Sequence, residues 1–246
     1  MGRLYIVTSG KGGTGKTTVS VNLAAALADK GAGVAAVDMC IGFRNMDLFL
    51  GKENDIVYDS SDVIRGVCSI DQALVRDERF SDLRLLAAAP EHEDGVSLSR
   101  IHALLLTLKG RFDYVIVDMP SGAGKMTADL AETADGVILV STADLASIRN
   151  TDAFDRRLKA LGSEKQIVLI NRLVPEFMNE RIVPRLREIN AMLRPDIAGV
   201  IQEDRVFQVS ANLGVPAYMK KGTYIRKNFD AIAASFCIDI ERKKNI

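Results

Sequence analysis

The sequence is poor in cysteine, balanced in charge and without long apolar runs, and each absence removes a class of function. Its three cysteines, Cys40, Cys68 and Cys237, are odd in number and far apart. No C-x-x-C pair occurs, so neither a zinc knuckle nor a disulfide framework is expected. Reduced thiols in a cytoplasmic protein are the plain expectation. The same spacing removes a carrier of metal clusters, which needs closely set thiolates. Net charge is zero, with 32 basic and 32 acidic residues. A protein that holds DNA by charge alone carries a basic excess, so nucleic acid is not an expected partner. No apolar run approaches the length of a membrane span. The first apolar stretch opens at Leu4, which leaves no room for a signal peptide. Ile6 stands where an N-myristoylation signal on Gly2 would need Ser or Thr. The N-K-x-D string that reads guanine in GTPases is absent, as are internal repeats and low-complexity linkers.

What is present is concentrated near the start. Leu4-Tyr5-Ile6-Val7-Thr8-Ser9 is rich in β-branched and aromatic residues and reads as a strand. A glycine-rich turn follows, and then Val19 to Leu27 carries apolar residues at helical spacing. Within the turn, Gly10 to Thr17 fits G-x-x-x-x-G-K-[ST], the P-loop signature, in the strand–turn–helix context that the motif requires. Gly10, Gly12, Gly13 and Gly15 let backbone N–H groups turn inward around an anion. The helix aims its positive dipole end at the same anion. Lys16 adds a point charge on the β- and γ-phosphates, and the Thr17 hydroxyl is the expected Mg²⁺ ligand.

The rest of the chain supplies the scaffold. The 246 residues, 48% of them hydrophobic, fit one large α/β domain over 1–246. Val34 to Asp38 and Tyr114 to Asp118 are buried-strand runs that end in a carboxylate. In parallel sheets the working residues sit at the carboxyl ends of strands, so Asp38 and Asp118 both point toward the phosphate site. Asp118 completes a Walker B pattern and lies near Mg²⁺, through water. Further strands are expected at 83–87, 136–141, 167–170 and 197–201. Helices are expected at 98–108, 144–161 and 181–193, with a polar loop at 90–95 and a short helix near 63–66. Tyr58 and Leu74 read as core. Strands alternate with helices, so the fold class is α/β: a single doubly wound, mostly parallel sheet with helices on both faces. Near the end Ile225, Phe229, Ile232, Phe236 and Ile240 repeat at helical spacing. An interfacial helix would set lysines against large apolar groups, whereas this one is alanine-rich, so docking on the core is expected.

Lys11 narrows the class. The string Lys11-Gly12-Gly13-Thr14-Gly15-Lys16-Thr17-Thr18 resembles the deviant Walker A motif of the MinD/ParA family of dimerising ATPases. The resemblance is closest to the MinD branch through Ile41-Gly42-Phe43-Arg44-Asn45-Met46-Asp47, Val57-Tyr58-Asp59 and Gln72-Ala73-Leu74, which correspond to the first switch and the segment after it. Asp118-Met119-Pro120-Ser121-Gly122 resembles the second switch, whose glycine senses the γ-phosphate. The helix opening at Asp144 resembles the segment that binds regulatory partners. Asn171-Arg172 resembles the pair beside the adenine, where an amide can satisfy both a donor and an acceptor of the base.

The resemblance implies ATP and Mg²⁺ as cofactors and an ATP-dependent homodimer with nucleotide between subunits. Lys11 would act in trans beside Lys16 and Asp38 as the catalytic set, and hydrolysis would release the dimer. It implies a role in the placement of the division septum, with regulators of the MinC and MinE kind as partners. Three departures stand out. Gln202-Glu203-Asp204 replaces the usual P-E-D. The amphipathic membrane-targeting tail of MinD-like chains is not seen after Arg242-Lys243-Lys244-Asn245-Ile246, so membrane attachment is expected to be weak or absent. Asp38-Met39-Cys40 replaces the family's D-x-D, whose second acid orients the attacking water. A thiol accepts hydrogen bonds poorly, so a weak ATPase is expected. The competing class is a ParA-like DNA-segregation ATPase, recognisable by salt-sensitive binding to nonspecific duplex DNA.

Overall fold

The computed structural model describes residues 1–90, 97–122 and 124–244, with the backbone alone at 125 and 237–244. In chain order the elements are β1 (Arg3–Thr8), α1 (Lys16–Asp29), β2 (Val34–Asp38), α2 (Met46–Leu50), α3 (Ser60–Arg65), α4 (Ile70–Ala73), β3 (Leu74–Asp77), β4 (Leu83–Leu86), α5 (Leu98–Arg111), β5 (Tyr114–Asp118), α6 (Lys125–Thr133), β6 (Gly136–Ser141), α7 (Leu145–Ala160), β7 (Gln166–Leu173), α8 (Pro175–Asn179), α9 (Leu186–Met192), β8 (Ile197–Gln202), α10 (Arg205–Leu213) and α11 (Tyr224–Lys244). The strands form one eight-stranded sheet in the order β3-β4-β2-β5-β1-β6-β7-β8. Its ladders are parallel except for the β3–β4 pair at one edge.

Alternation along β1 divides the core. Leu4 and Ile6 face one apolar cluster, with Leu104 and Leu108 of α5 and Phe154 and Leu158 of α7. Tyr5 and Val7 face the other, with α1 and α11. Because β5 lies between β2 and β1, Asp118 is in register with both Asp38 and Val7. The two terminal carboxylates are therefore delivered side by side, next to the strand that feeds the P-loop. In α11, Ile225, Phe229, Ile232, Ala233 and Phe236 are buried, and Phe236 meets Tyr5 edge-on with ring centroids 4.6 Å apart. Each large apolar side chain so buried contributes about 1.5–3 kcal/mol, which fixes this part of α11 on the sheet. Ile240 and the loop residues 91–95 lie outside the described side chains.

Several elements depart from expectation. The helix expected over 181–193 is only Leu186–Met192. Arg181 has φ +60° and Pro184 disfavours helical geometry at its neighbour, so the first turn cannot form. β7 runs on to Leu173, which places Asn171 and Arg172 inside the strand rather than after it. Leu74 is buried as expected, at the start of the antiparallel edge strand β3. The sequence expectation contained none of α2, α6, α8 or α10, which span five to nine residues each. Among them, α2 and α10 meet back to back. Arg79, paired to Asp77, donates to the Leu50 carbonyl at 2.6 Å and to the Gly214 carbonyl at 2.9 Å, and so ties both helix ends to the β3–β4 hairpin. A Cβ on Gly214 would lie 2.4 Å from the Gly51 Cα, and Gly214 has φ +63°. Gly214→Ala is expected to lower stability in urea unfolding by about 2–4 kcal/mol, through left-handed strain plus forced separation of the two helices. An unchanged midpoint would mean that the helix ends are not tightly joined.

Candidate nucleotide and metal site

The loop after β1 is closed by the Ser9 hydroxyl, which donates to the Lys11 carbonyl at 2.6 Å. Gly15, at φ +89°, turns the chain into α1. A Cβ at Gly15 would lie 2.4 Å from Asn171 Nδ2, so only glycine fits beneath that amide. Asn171 Nδ2 in turn donates to the Thr14 carbonyl at 2.8 Å. Thr14 is itself buried, with its Oγ1 left without a hydrogen-bond partner. Between β7 and β8, Ile170 pairs with Val200 but Leu173 pairs with Gln202, so β7 carries one extra residue. Such bulges re-aim side chains. Here the bulge turns Asn171 onto the P-loop and holds Arg172 at φ +58°, where its guanidinium meets Glu203 at 2.8 Å and the Gly13 carbonyl at 3.4 Å.

Below the P-loop the candidate metal-binding groups converge. Thr17 Oγ1 donates to Asp118 Oδ2 at 2.5 Å, and Ser20 Oγ to Asp118 Oδ1 at 3.0 Å. Ser20 was not anticipated, although its i+3 spacing from Thr17 on α1 carries the signal. Burial, and next the charge of Asp38, push the Asp118 carboxyl up to about 7, against the pull of Thr17, Ser20 and Lys16. A hydroxyl and a carboxylate at this separation are hard oxygen donors that suit Mg²⁺. The P-loop residues, Lys16, Thr17 and Asp118 therefore come together as expected.

Asp38 has a second duty. Oδ1 accepts from the Cys40 amide at 2.8 Å, and Oδ2 from the Asn45 and Met46 amides at 3.2 and 3.1 Å. The carboxylate shapes the whole 40–46 segment. Burial raises its pKa, and these three amides oppose the rise. Cys40 turns inward, with Sγ 3.9 Å from both the carbonyl oxygen and Oδ2 of Asp118. Burial and then the charges of Asp118 and Asp38 push its thiol far above the usual range, so it stays protonated. Asp47, a nearby acid that could have stood in for the missing carboxylate, is buried and committed elsewhere. It binds Arg44 at 2.6 Å and the Leu48 amide at 2.9 Å.

Lys11 does not fold over its own P-loop. Its Nζ lies 3.4 Å from Asp144 Oδ1, in a pair with both side chains more than two-fifths exposed. Asp144 caps α7 by accepting from the Ser147 amide at 3.0 Å. The Gly122 amide donates to the Ser9 carbonyl at 2.8 Å, which ties the loop after β5 to the start of the P-loop. Two adjoining clefts open here. One of about 370 Å³ is lined by Lys11, Gly13, Asp144, Arg172 and Phe177. The other, about 210 Å³, is lined by Gly15, Thr18, Asn171, Phe49 and Phe207. The two phenylalanines carried no sequence signal, because only the α2–α10 contact brings them together.

The model of the CobQ/CobB/MinD/ParA nucleotide binding domain matches residues 5–215. The septum site-determining protein MinD of Synechocystis sp. is 37% identical over 222 residues, spanning 90% of this chain and 84% of the relative. Among solved structures, a chain of the MinC:MinD cell division protein complex of Aquifex aeolicus superposes with a TM-score of 0.89. It is 31% identical and covers 96% of this chain and 95% of its own. The Pyrococcus horikoshii septum site-determining protein MinD, complexed with Mg-ADP, superposes with a TM-score of 0.85 at 25% identity, covering 96% of each chain.

Proposed function

Because the chain belongs to the CobQ/CobB/MinD/ParA nucleotide-binding family, we propose that it is a MinD-type ATPase of septum placement, an ATP-dependent switch that dimerises around its nucleotide. The observation that carries this is the pairing of a complete P-loop over Thr17 and Asp118 with a second P-loop lysine that turns outward to an exposed ion pair with Asp144. Backbone amides of residues 10–17 and the N-terminus of α1 receive the phosphates. Lys16 places its charge on them. Thr17 and Asp118 would hold Mg²⁺, which when bound neutralises charge on the β- and γ-oxygens. The bulged Asn171 and Arg172 line the base cleft.

Lys11 reaches into the partner's site. An exposed ion pair such as Lys11–Asp144 is worth about 0–1 kcal/mol, so releasing it costs less than a phosphate contact returns. Regulators of the MinC and MinE kind would dock at the exposed start of α7, where Leu145 stands free beside Asp144. Among the described residues no helix is long and apolar enough to cross a membrane, and the apolar side chains of α11 from Ile225 to Phe236 are buried in the core. The ParA-like alternative has less behind it, since the matched ParA family ATPase of Chlorobium tepidum is 22% identical and supports the fold alone.

Titration calorimetry tests the nucleotide assignment. Lys16→Ala is expected to abolish ATP binding. Asn171→Ala is expected to weaken it about fivefold, with a smaller loss for GTP, because one hydrogen bond is worth about 1 kcal/mol. Equal discrimination between ATP and GTP in the natural chain and the Asn171 variant would move base recognition elsewhere.

A further inference from the structure

Cys40 puts a soft donor where this cleft otherwise offers only hard ones. One ligand atom each from Asp38, Cys40 and Asp118 lies within 4.8 Å of the others. The Cys40 sulfur is 3.9 Å from Asp118 Oδ2, the same oxygen that receives the Thr17 hydroxyl at 2.5 Å. A tetrahedral ion with bonds of about 2.3 Å to sulfur and about 2.1 Å to oxygen separates those ligands by roughly 3.6 Å. The Cys40–Asp118 spacing needs only a few tenths of an ångström of closure, whereas the Asp38 oxygen, within 4.8 Å of the other two ligand atoms, closes further as the 40–46 segment adjusts. A hydrogen bond from a thiol at 3.9 Å is weak, so little holds the sulfur in this orientation when no ion is bound.

We propose that the Asp38–Cys40–Asp118 cluster binds a thiophilic divalent cation of the zinc class through the Cys40 sulfur. The natural cation of this site would then not be Mg²⁺ alone. On binding, the Sγ–H bond is lost, the Sγ–metal bond forms and the proton leaves to solvent, with no change in oxidation state. Thiolate ligands select zinc-like ions, whereas Mg²⁺ requires oxygen at about 2.0–2.1 Å and gains nothing from sulfur. The inference rests on the metal–nucleotide assignment of the same cleft, but it is read out separately.

Cobalt(II), which takes zinc sites and reports sulfur ligation optically, is titrated into the full chain with and without ADP. A near-ultraviolet sulfur-to-cobalt charge-transfer band is expected at one ion per chain. Equimolar Zn²⁺ should bleach it, and excess Mg²⁺ should leave it. Cys40→Ser should reduce it to background. The double variant Cys68→Ala/Cys237→Ala, with Cys40 as its sole cysteine, should retain it in full, which keeps the test valid should Cys40→Ser fold poorly. No band in the natural chain, or loss of the band from the double variant, overturns the proposal. Mg-ADP binding measured on the same samples tells the two claims apart: ADP bound without a cobalt band refutes only the thiolate site, and failure to bind ADP refutes the nucleotide assignment.

Discussion

Replacing Cys40 by aspartate is expected to accelerate single-turnover ATP hydrolysis by about 10²-fold or more, the usual worth of a water-orienting or general-base group. In the proposed site ATP and Mg²⁺ would be held by the P-loop, Lys16, Thr17 and Asp118, none of which needs residue 40. The thiol cannot serve in its place. With no thiophilic ion bound it is kept protonated by its burial and then by the charges of Asp118 and Asp38, and its sulfur is turned toward Asp118. Asp47 cannot serve either, since Arg44 and the Leu48 amide occupy its carboxylate. A carboxylate at position 40 accepts a charge-assisted hydrogen bond from water. It also adds a third negative group beside Asp38 and Asp118, so Cys40→Asp should be less stable than the natural chain without nucleotide and recover when Mg-ATP is bound. Measuring one turnover on the preformed dimer removes assembly from the rate. Equal rates for the two chains would show that backbone groups position the water and that position 40 is silent.

Lys11→Ala is expected to eliminate the ATP-dependent dimer while leaving ATP binding to the monomer within about twofold. The lysine contributes little at home: its partner Asp144 is held independently by Thr142 at 2.5 Å and by the Ser147 amide. Charge-assisted contacts to phosphate in a closed interface are worth about 1.5–3 kcal/mol each. A twofold dimer carries two of them, enough to shift association by several orders of magnitude. Lys11→Arg restores charge but not the compact ammonium, and should recover dimerisation only in part. A dimer that survives Lys11→Ala would remove the trans role and return Lys11 to a surface pairing with Asp144.

Much of this site was legible because its chemistry is local. The P-loop is a continuous string whose function follows from its own backbone, and Val34–Asp38 and Tyr114–Asp118 declare themselves as buried strands with a working carboxylate at the end. What escaped was set by contacts distant in sequence. The bulge that turns Asn171 onto Thr14 is a property of the β7–β8 pairing. The approach of Phe49 and Phe207 depends on Arg79 and the Gly51–Gly214 contact, formed by short helices whose patterns are too brief to show periodicity. The Lys11–Asp144 pair joins residues 133 positions apart. Cys40 could be seen as a departure from D-x-D, but not that its sulfur lies against Asp118.

The central claim is that nucleotide state sets the assembly state, and light scattering on the natural chain tests it most directly. With ADP and Mg²⁺ the account predicts a monomer of 26.8 kDa. With ATP and Mg²⁺ it predicts a species of twice that mass, which decays to monomer as ATP is consumed. The same mass with either nucleotide, whether monomer or dimer, would contradict it.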